Sequence, residues 1–348
     1  MQKNETYTRD PSFDILRGIG LLCIMLAHVG PPTLLFQLRN FDVPLMVLIS
    51  GSVFCISSGR KVGYFRYIIE RFVRLVIPTW IFLAFFFITS FIGFNQSTQH
   101  YPFSLQQIEL CFGLLYDYVW VIRVFLLVAI MAPLIMQAKS VIKSNLAWYF
   151  LVVFFYVIYE ILFVLSRQID SFGFIYLLDN FVFSAIPYGV VFAVGITAIG
   201  MNRKQFIFVS LVFLCFFVIM ALWKYRFTGS FMQTQSYKYP PRFYYLSYAF
   251  GVSFFFYSLM TYNVIKFSLI GNLLSYLGSR TMWIYLWHIY VLFLMKWLGF
   301  DYHFLVKLVI LITTSVSLAL LQEIMVSLAA EGISNTVYKK SVIKVFTG

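Results

Sequence analysis

Long apolar stretches recur along the whole chain, at about 13–30, 42–58, 70–94, 118–137, 146–166, 181–200, 205–223, 243–262, 281–298 and 304–329, with short polar connectors between them. A helix needs roughly 20 apolar residues to cross a hydrocarbon layer about 30 Å thick. The pattern therefore predicts an all-α polytopic transmembrane bundle of about ten helices. An even number of crossings puts both termini on one side. No polar stretch is long enough to hold a separate soluble core, so a single integral-membrane domain over 1–348 is expected, with short tails at 1–12 and 330–348. The polar start runs into the first apolar stretch without a clear cleavage site, and no signal peptide is expected.

Composition agrees: 61% of residues are hydrophobic, 21% aromatic and only 11% charged. The formal charge of +13 would suggest nucleic acid in a soluble protein. Here Lys and Arg lie mainly in the connectors, which points to topology and anionic membrane lipid and away from nucleic acid. With the termini inside, sixteen of the 26 cations fall in inner segments and eight in outer ones, while Arg17 and Arg123 lie within spans. That bias predicts cytoplasmic termini. Cys23, Cys55, Cys111 and Cys215 are scattered with no CxxC or His/Cys metal spacing. They read as small apolar residues, and no metal site is expected.

The first apolar stretch carries two residues that lipid does not tolerate without reason, Arg17 and His28. At 3.6 residues per turn and 1.5 Å rise they lie within roughly 20° of one helix face and about 16 Å apart. Ionisable groups inside a span usually face a bundle interior or a wet cavity, so this face is the first candidate for a site. A second basic pair, Arg71 and Arg74, has the spacing that puts two guanidinium groups on one face of a helix. Two such groups suit a phosphate, although a lone RxxR beside a membrane is more often an anchor to lipid headgroups.

Together these residues carry a resemblance. Asp14-x-x-Arg17-Gly18, ten residues between Arg17 and His28, the run Phe41-Asp-Val-Pro-Leu-Met-Val-Leu-Ile-Ser-Gly51, and Arg71-x-x-Arg74 before Ile77-Pro78 are similar to the membrane-bound acyltransferase family 3. Ser275-Tyr-Leu-Gly278 and Trp283-Ile-Tyr-Leu-Trp-His288 are similar to a late span of the same family. The resemblance implies transfer of an acyl group, usually acetyl from acetyl-CoA, to a hydroxyl of a cell-surface or exported glycan. Some relatives carry a fused hydrolase-like domain for the final transfer; here fewer than twenty residues follow Ala330. The membrane unit is therefore expected to act alone or with separate glycan-synthesis partner proteins, in the plasma or inner membrane.

The chemistry fits the residues. The phosphate-rich head of an acyl-CoA would lie at Arg17, Arg71 and Arg74, and its extended arm, of order 15 to 20 Å, matches the rise from Arg17 to His28. A neutral imidazole there can take the proton of an attacking sugar hydroxyl, or can carry the acyl group itself; the sequence leaves both open. Asp42 could orient that imidazole or cap the helix that begins beside it. Asp14 and His288 are expected in supporting places, although His288, among Trp283, Tyr285, Trp287 and Tyr290, reads first as part of an interfacial aromatic belt. Glu160, Arg123 and Glu323 are further charges near spans that could form an internal pair. Lys224–Arg242, mixing Tyr and Phe with cations, could meet a glycan or lipid-linked sugar acceptor. The same pattern also fits a secondary transporter or flippase, for which Ser184-Ala-Ile-Pro187-Tyr-Gly189 offers one helix break, or a noncatalytic partner in a glycan-synthesis complex.

Overall fold

The computed structural model describes residues 10–57, 63–95, 101–116 and 119–347, and every element among them is helical. Arg60, Lys61, His100 and most of the 1–12 tail lie outside the described residues. In chain order the helices are α1 (Pro11–Ala27), α2 (Thr33–Leu38), α3 (Asp42–Ser57), α4 (Tyr64–Asn95), α5 (Leu105–Phe112) and α6 (Trp120–Val141). They continue with α7 (Asn145–Ser166), α8 (Phe172–Leu177), α9 (Phe183–Ala198), α10 (Arg203–Thr228) and α11 (Phe243–Leu259). The chain closes with α12 (Asn263–Lys266), α13 (Leu269–Ser279), α14 (Thr281–Trp297), α15 (Phe304–Glu331) and α16 (Thr336–Thr347).

Seven helical segments are long and apolar enough on their own to cross a membrane. The other three expected spans fall on α1, α11 and α14, each of 17 residues and thus about 25 Å long, at the short end of what a span requires. All three bury much of their length in the bundle core, so their apolar surface meets protein rather than lipid.

Local signals set the ends. Asp10 caps α1 by accepting the Ser12 N–H at 2.9 Å, with Pro11 in the first turn. The helix stops at His28, two residues before the expected end, and the chain turns away through Gly30 at φ +70°. Two expectations need correction. Pro187 lies inside the unbroken α9; the irregular backbone is a π-helical turn at Leu178–Val182, just before it. The C-terminal segment after Ala330 is also no simple tail: α16 docks on the bundle, where Phe346 stacks on Trp283 and Gln322 donates to the Phe346 carbonyl at 2.6 Å.

The helix that carries Arg17 and His28 is held by α13 through two glycines. A Cβ on Gly18 would lie 2.2 Å from the Leu274 carbonyl oxygen, and one on Gly278 would lie 1.7 Å from that of Asp14. No side chain fits between these backbones. Two effects then compete in Gly278→Ala: a gain of about 1 kcal/mol in helix propensity and an overpacking cost of about 1–3 kcal/mol that only a backbone shift can relieve. The clash is with main chain, so overpacking wins. Gly278→Ala should lower the thermal unfolding temperature of the purified protein by several degrees, whereas Gly173→Ala, with nothing within 4 Å, should leave it unchanged or raise it. Equal shifts in the two variants would contradict the close approach.

Candidate functional site

Arg17, Arg71 and Arg74 come from two helices far apart in sequence, and they line one narrow cavity of about 220 Å³. Asp14, buried one turn before Arg17, accepts a hydrogen bond from its Nη1 at 3.2 Å and fixes that guanidinium. Arg71 lies over the Tyr67 ring, with Cζ 4.9 Å from the centroid. The same cavity reaches Ile24, Val121, Ile122 and Tyr285. Ile24 is one helical turn below His28. The cavity thus runs from a cluster of three arginines up to the foot of the histidine.

His28, at the end of α1 away from Arg17, opens into a second cavity of about 410 Å³, the outer one under the expected topology. The walls of this outer cavity come from the starts of α6 and α9 and from the connector after α10, including Trp120, Arg123, Tyr188, Lys238 and Tyr239. The imidazole is exposed to that space. Behind it stands His288, 0% exposed, with ring centroids 5.6 Å apart. The His288 Nδ1 lies against the Tyr285 carbonyl, which favours a hydrogen on Nδ1 and leaves Nε2 as the acceptor; Nε2 is buried with no hydrogen-bond partner. The aromatic-belt reading of His288 is therefore corrected: its neighbours Tyr285 and Trp287 pack inside the bundle, and the ring meets His28. Tyr285 lines the arginine cavity and also packs on His288, at 4.9 Å between centroids. Tyr285 on the first cavity, His288 behind it and His28 on the second form a chain of ring contacts between the two cavities, which share no lining residue.

Asp42 heads α3 fully buried and binds three groups: Arg39 at 2.7 Å, Lys238 at 3.0 Å and the Val43 N–H at 2.8 Å. Among the described residues it makes no bond to His28, so the expected carboxylate–imidazole pair is replaced by a carboxylate shared between two cations beside that ring. Burial pulls the Lys238 ammonium below the ordinary lysine range, and Asp42 works against that shift. Lys238 comes from the Lys224–Arg242 stretch; α10 takes the first part of that stretch as far as Thr228, and only its end, from Lys238 on, reaches the outer cavity.

Sequence reasoning missed Arg39 and Lys238, counted only as outer cations, and left Arg123 without a role. The three-residue spacing of Arg39 and Asp42 was a usable signal. Glu160 and Glu323 do not pair with Arg123: they bind Arg242 and Arg280, both at 2.7 Å. Arg123 instead donates to the Leu114 carbonyl at 2.9 Å, holding a non-glycine residue in the left-handed region at φ +59°. His303 caps α15. The four cysteines are free, and no His, Cys, Asp and Glu cluster suited to a metal occurs among the described residues. A depression of about 1240 Å³ lies between α7, α9, α10 and α11, and its largely apolar walls suit lipid chains.

A helical membrane bundle with an arginine-lined cavity and an exposed histidine backed by a buried one is an arrangement suited to catalysis in a membrane enzyme, and family comparison supplies the class. The chain matches the acyltransferase domain of family 3 over residues 10–322, and it belongs to that family. It is thus a membrane acyltransferase by family, which sets aside the transporter reading. No curated protein and no solved structure matches it.

Removing one partner of a buried ion cluster leaves charge unpaired and costs about 3–5 kcal/mol. Asp42→Asn should therefore lower the unfolding temperature sharply, and adding Lys238→Met should recover part of the loss. A single variant as stable as the parent, measured by thermal unfolding in detergent, would contradict the cluster.

Proposed function

We propose that the protein is an O-acyltransferase of the cell membrane that moves an acyl group, in first place acetyl, from acyl-CoA to a hydroxyl of a cell-surface or exported glycan, free or lipid-linked. The observation that carries this reading is a chain of rings, Tyr285, His288 and His28, that links a cavity lined by three arginines to one lined by His28 with aromatic and polar side chains. In this reading ten helices span the membrane and both termini are cytoplasmic, so the arginines face the compartment that supplies CoA. Glycan-synthesis proteins are the expected partners.

The donor phosphates lie against Arg17, Arg71 and Arg74, with Asp14 holding Arg17. The thioester then reaches the histidines from one cavity, and the acceptor hydroxyl comes from the other. His28 takes the hydroxyl proton as the oxygen bonds to the thioester carbonyl carbon. The tetrahedral adduct collapses, the C–S bond breaks, and the departing thiolate receives the proton from the imidazolium. The products are an ester and free CoA, and His28 is neutral again. If His28 attacks first, the acyl group rests on the ring until the hydroxyl displaces it, and the products are the same. His288 is a positioning residue, with its bare Nε2 beside the His28 ring.

His28→Ala and His28→Gln should reduce acyl transfer by about 10²–10⁴-fold while the protein still inserts and purifies, because glutamine keeps an amide but cannot take the proton. Near-parental turnover in the glutamine variant would remove His28 from the mechanism. Arg71→Ala or Arg74→Ala should raise KM for acetyl-CoA about tenfold, and should raise it much less for a phosphate-free acetyl-pantetheine. Equal changes with both donors would assign the pair to packing or insertion.

A further inference from the structure

The outer cavity is richer in positive charge than a site for a neutral sugar requires. Arg123 is 6% exposed, lines the cavity and has no carboxylate partner among the described residues. Its Nη1 is used by the Leu114 carbonyl, while its Nε is buried and unpartnered. Arg123 stands in the first turn of α6, whose N-cap, Val119, offers no side chain to the first-turn N–H groups, so the positive end of a 22-residue helix adds to the same field. Lys238, 2% exposed, lines the other wall and must share Asp42 with Arg39. The one carboxylate on the cavity wall, Asp179, is already paired with Arg167. The wall itself carries two cations, Arg123 and Lys238, against one carboxylate, Asp179, and the ion-pair partners behind it, Arg39, Arg167 and Asp42, leave the cations in excess by two.

A desolvated guanidinium without a counter-charge is costly to maintain, and an anionic ligand removes that cost. We propose that the acceptor taken into this cavity carries an oxyanion, a carboxylate or phosphate on the sugar, which Arg123 and Lys238 bind while the hydroxyl to be acylated lies at His28. The proposal rests on the acyl-transfer reading above and names the acceptor's class: an acidic sugar. Trp120, Tyr176 and Tyr239 on the same walls offer ring faces to the sugar's C–H surface.

The test uses the full chain in nanodiscs at low salt, with methyl glucuronoside, glucose 1-phosphate and methyl glucoside as probes. The expected result is that at least one anionic sugar binds ten or more times tighter than methyl glucoside. Whichever anion binds tighter identifies the group as carboxylate or phosphate. Arg123→Gln should remove at least tenfold of that affinity while leaving methyl glucoside within twofold. Because Arg123 also holds the Leu114 carbonyl, the comparison within the wild-type protein stands even if that variant fails to fold, and Arg123→Lys, which keeps the charge, should retain part of the preference. Equal binding of the three sugars by the wild-type protein, binding of none, or, in an Arg123→Gln protein that unfolds at the parental temperature, a loss shared by neutral and anionic probes would overturn the proposal. CoA release from acetyl-CoA is measured separately on the same preparation. Its absence with every acceptor sinks the acyl-transfer reading, whereas release together with equal sugar binding sinks only the acidic-acceptor proposal.

Discussion

A carboxylate buried between two cations is the constraint on which the outer half of the molecule depends. Asp42 cannot stay ionised in an apolar bundle without partners, and neither can Arg39 or Lys238. Their mutual pairing pins the end of the chain's first reversal and the start of α3 to the connector after α10. The outer mouth at His28 is built from those pieces. Its shape therefore follows from charge desolvation more than from apolar packing, which is diffuse and would accept other arrangements of the same loops. On the opposite end, two glycines without room for a Cβ hold α1 against α13 and set the height of Arg17.

The spans were legible because a membrane enforces a simple rule, and helices such as α7 (145–166 against an expected 146–166) and α15 begin or end within a residue or two of the apolar pattern. The short elements were not. Thr33–Leu38 and Leu105–Phe112 lie in connectors where no length or periodicity marks a helix, and α16 is a polar segment whose place comes from tertiary contacts with Trp283 and Gln322. In the site, Arg17, Arg71 and Arg74 could be grouped from spacing and family resemblance. Lys238 could not be joined to Asp42, because 196 positions separate them and no local pattern encodes that meeting. His288 was misplaced for a related reason: aromatic neighbours look alike in a sequence whether they face lipid headgroups or a second histidine.

The architecture sets the arginine cluster and His28 in two separate cavities. The arginine cavity, of about 220 Å³, carries three guanidinium groups, whereas the outer cavity, of about 410 Å³, combines His28 with aromatic and charged walls. The rings of Tyr285, His288 and His28 link one cavity to the other, and in the proposed reading donor and acceptor would approach His28 from these two sides. Neither cavity alone explains an intramembrane histidine that is open on one side and backed by a second ring on the other.

Sidedness tests this account most directly. In a background lacking Cys23, Cys55, Cys111 and Cys215, single cysteines replacing Val73, beside the arginine pair, and Tyr239, on the outer cavity wall, can be probed with impermeant thiol reagents from each side of the membrane. The account predicts that the first labels from the cytoplasmic side and is protected by CoA, and that the second labels from the other side without such protection. Labelling of both from one side, or CoA protection at Tyr239 instead of Val73, would contradict a donor and an acceptor that reach His28 from opposite faces.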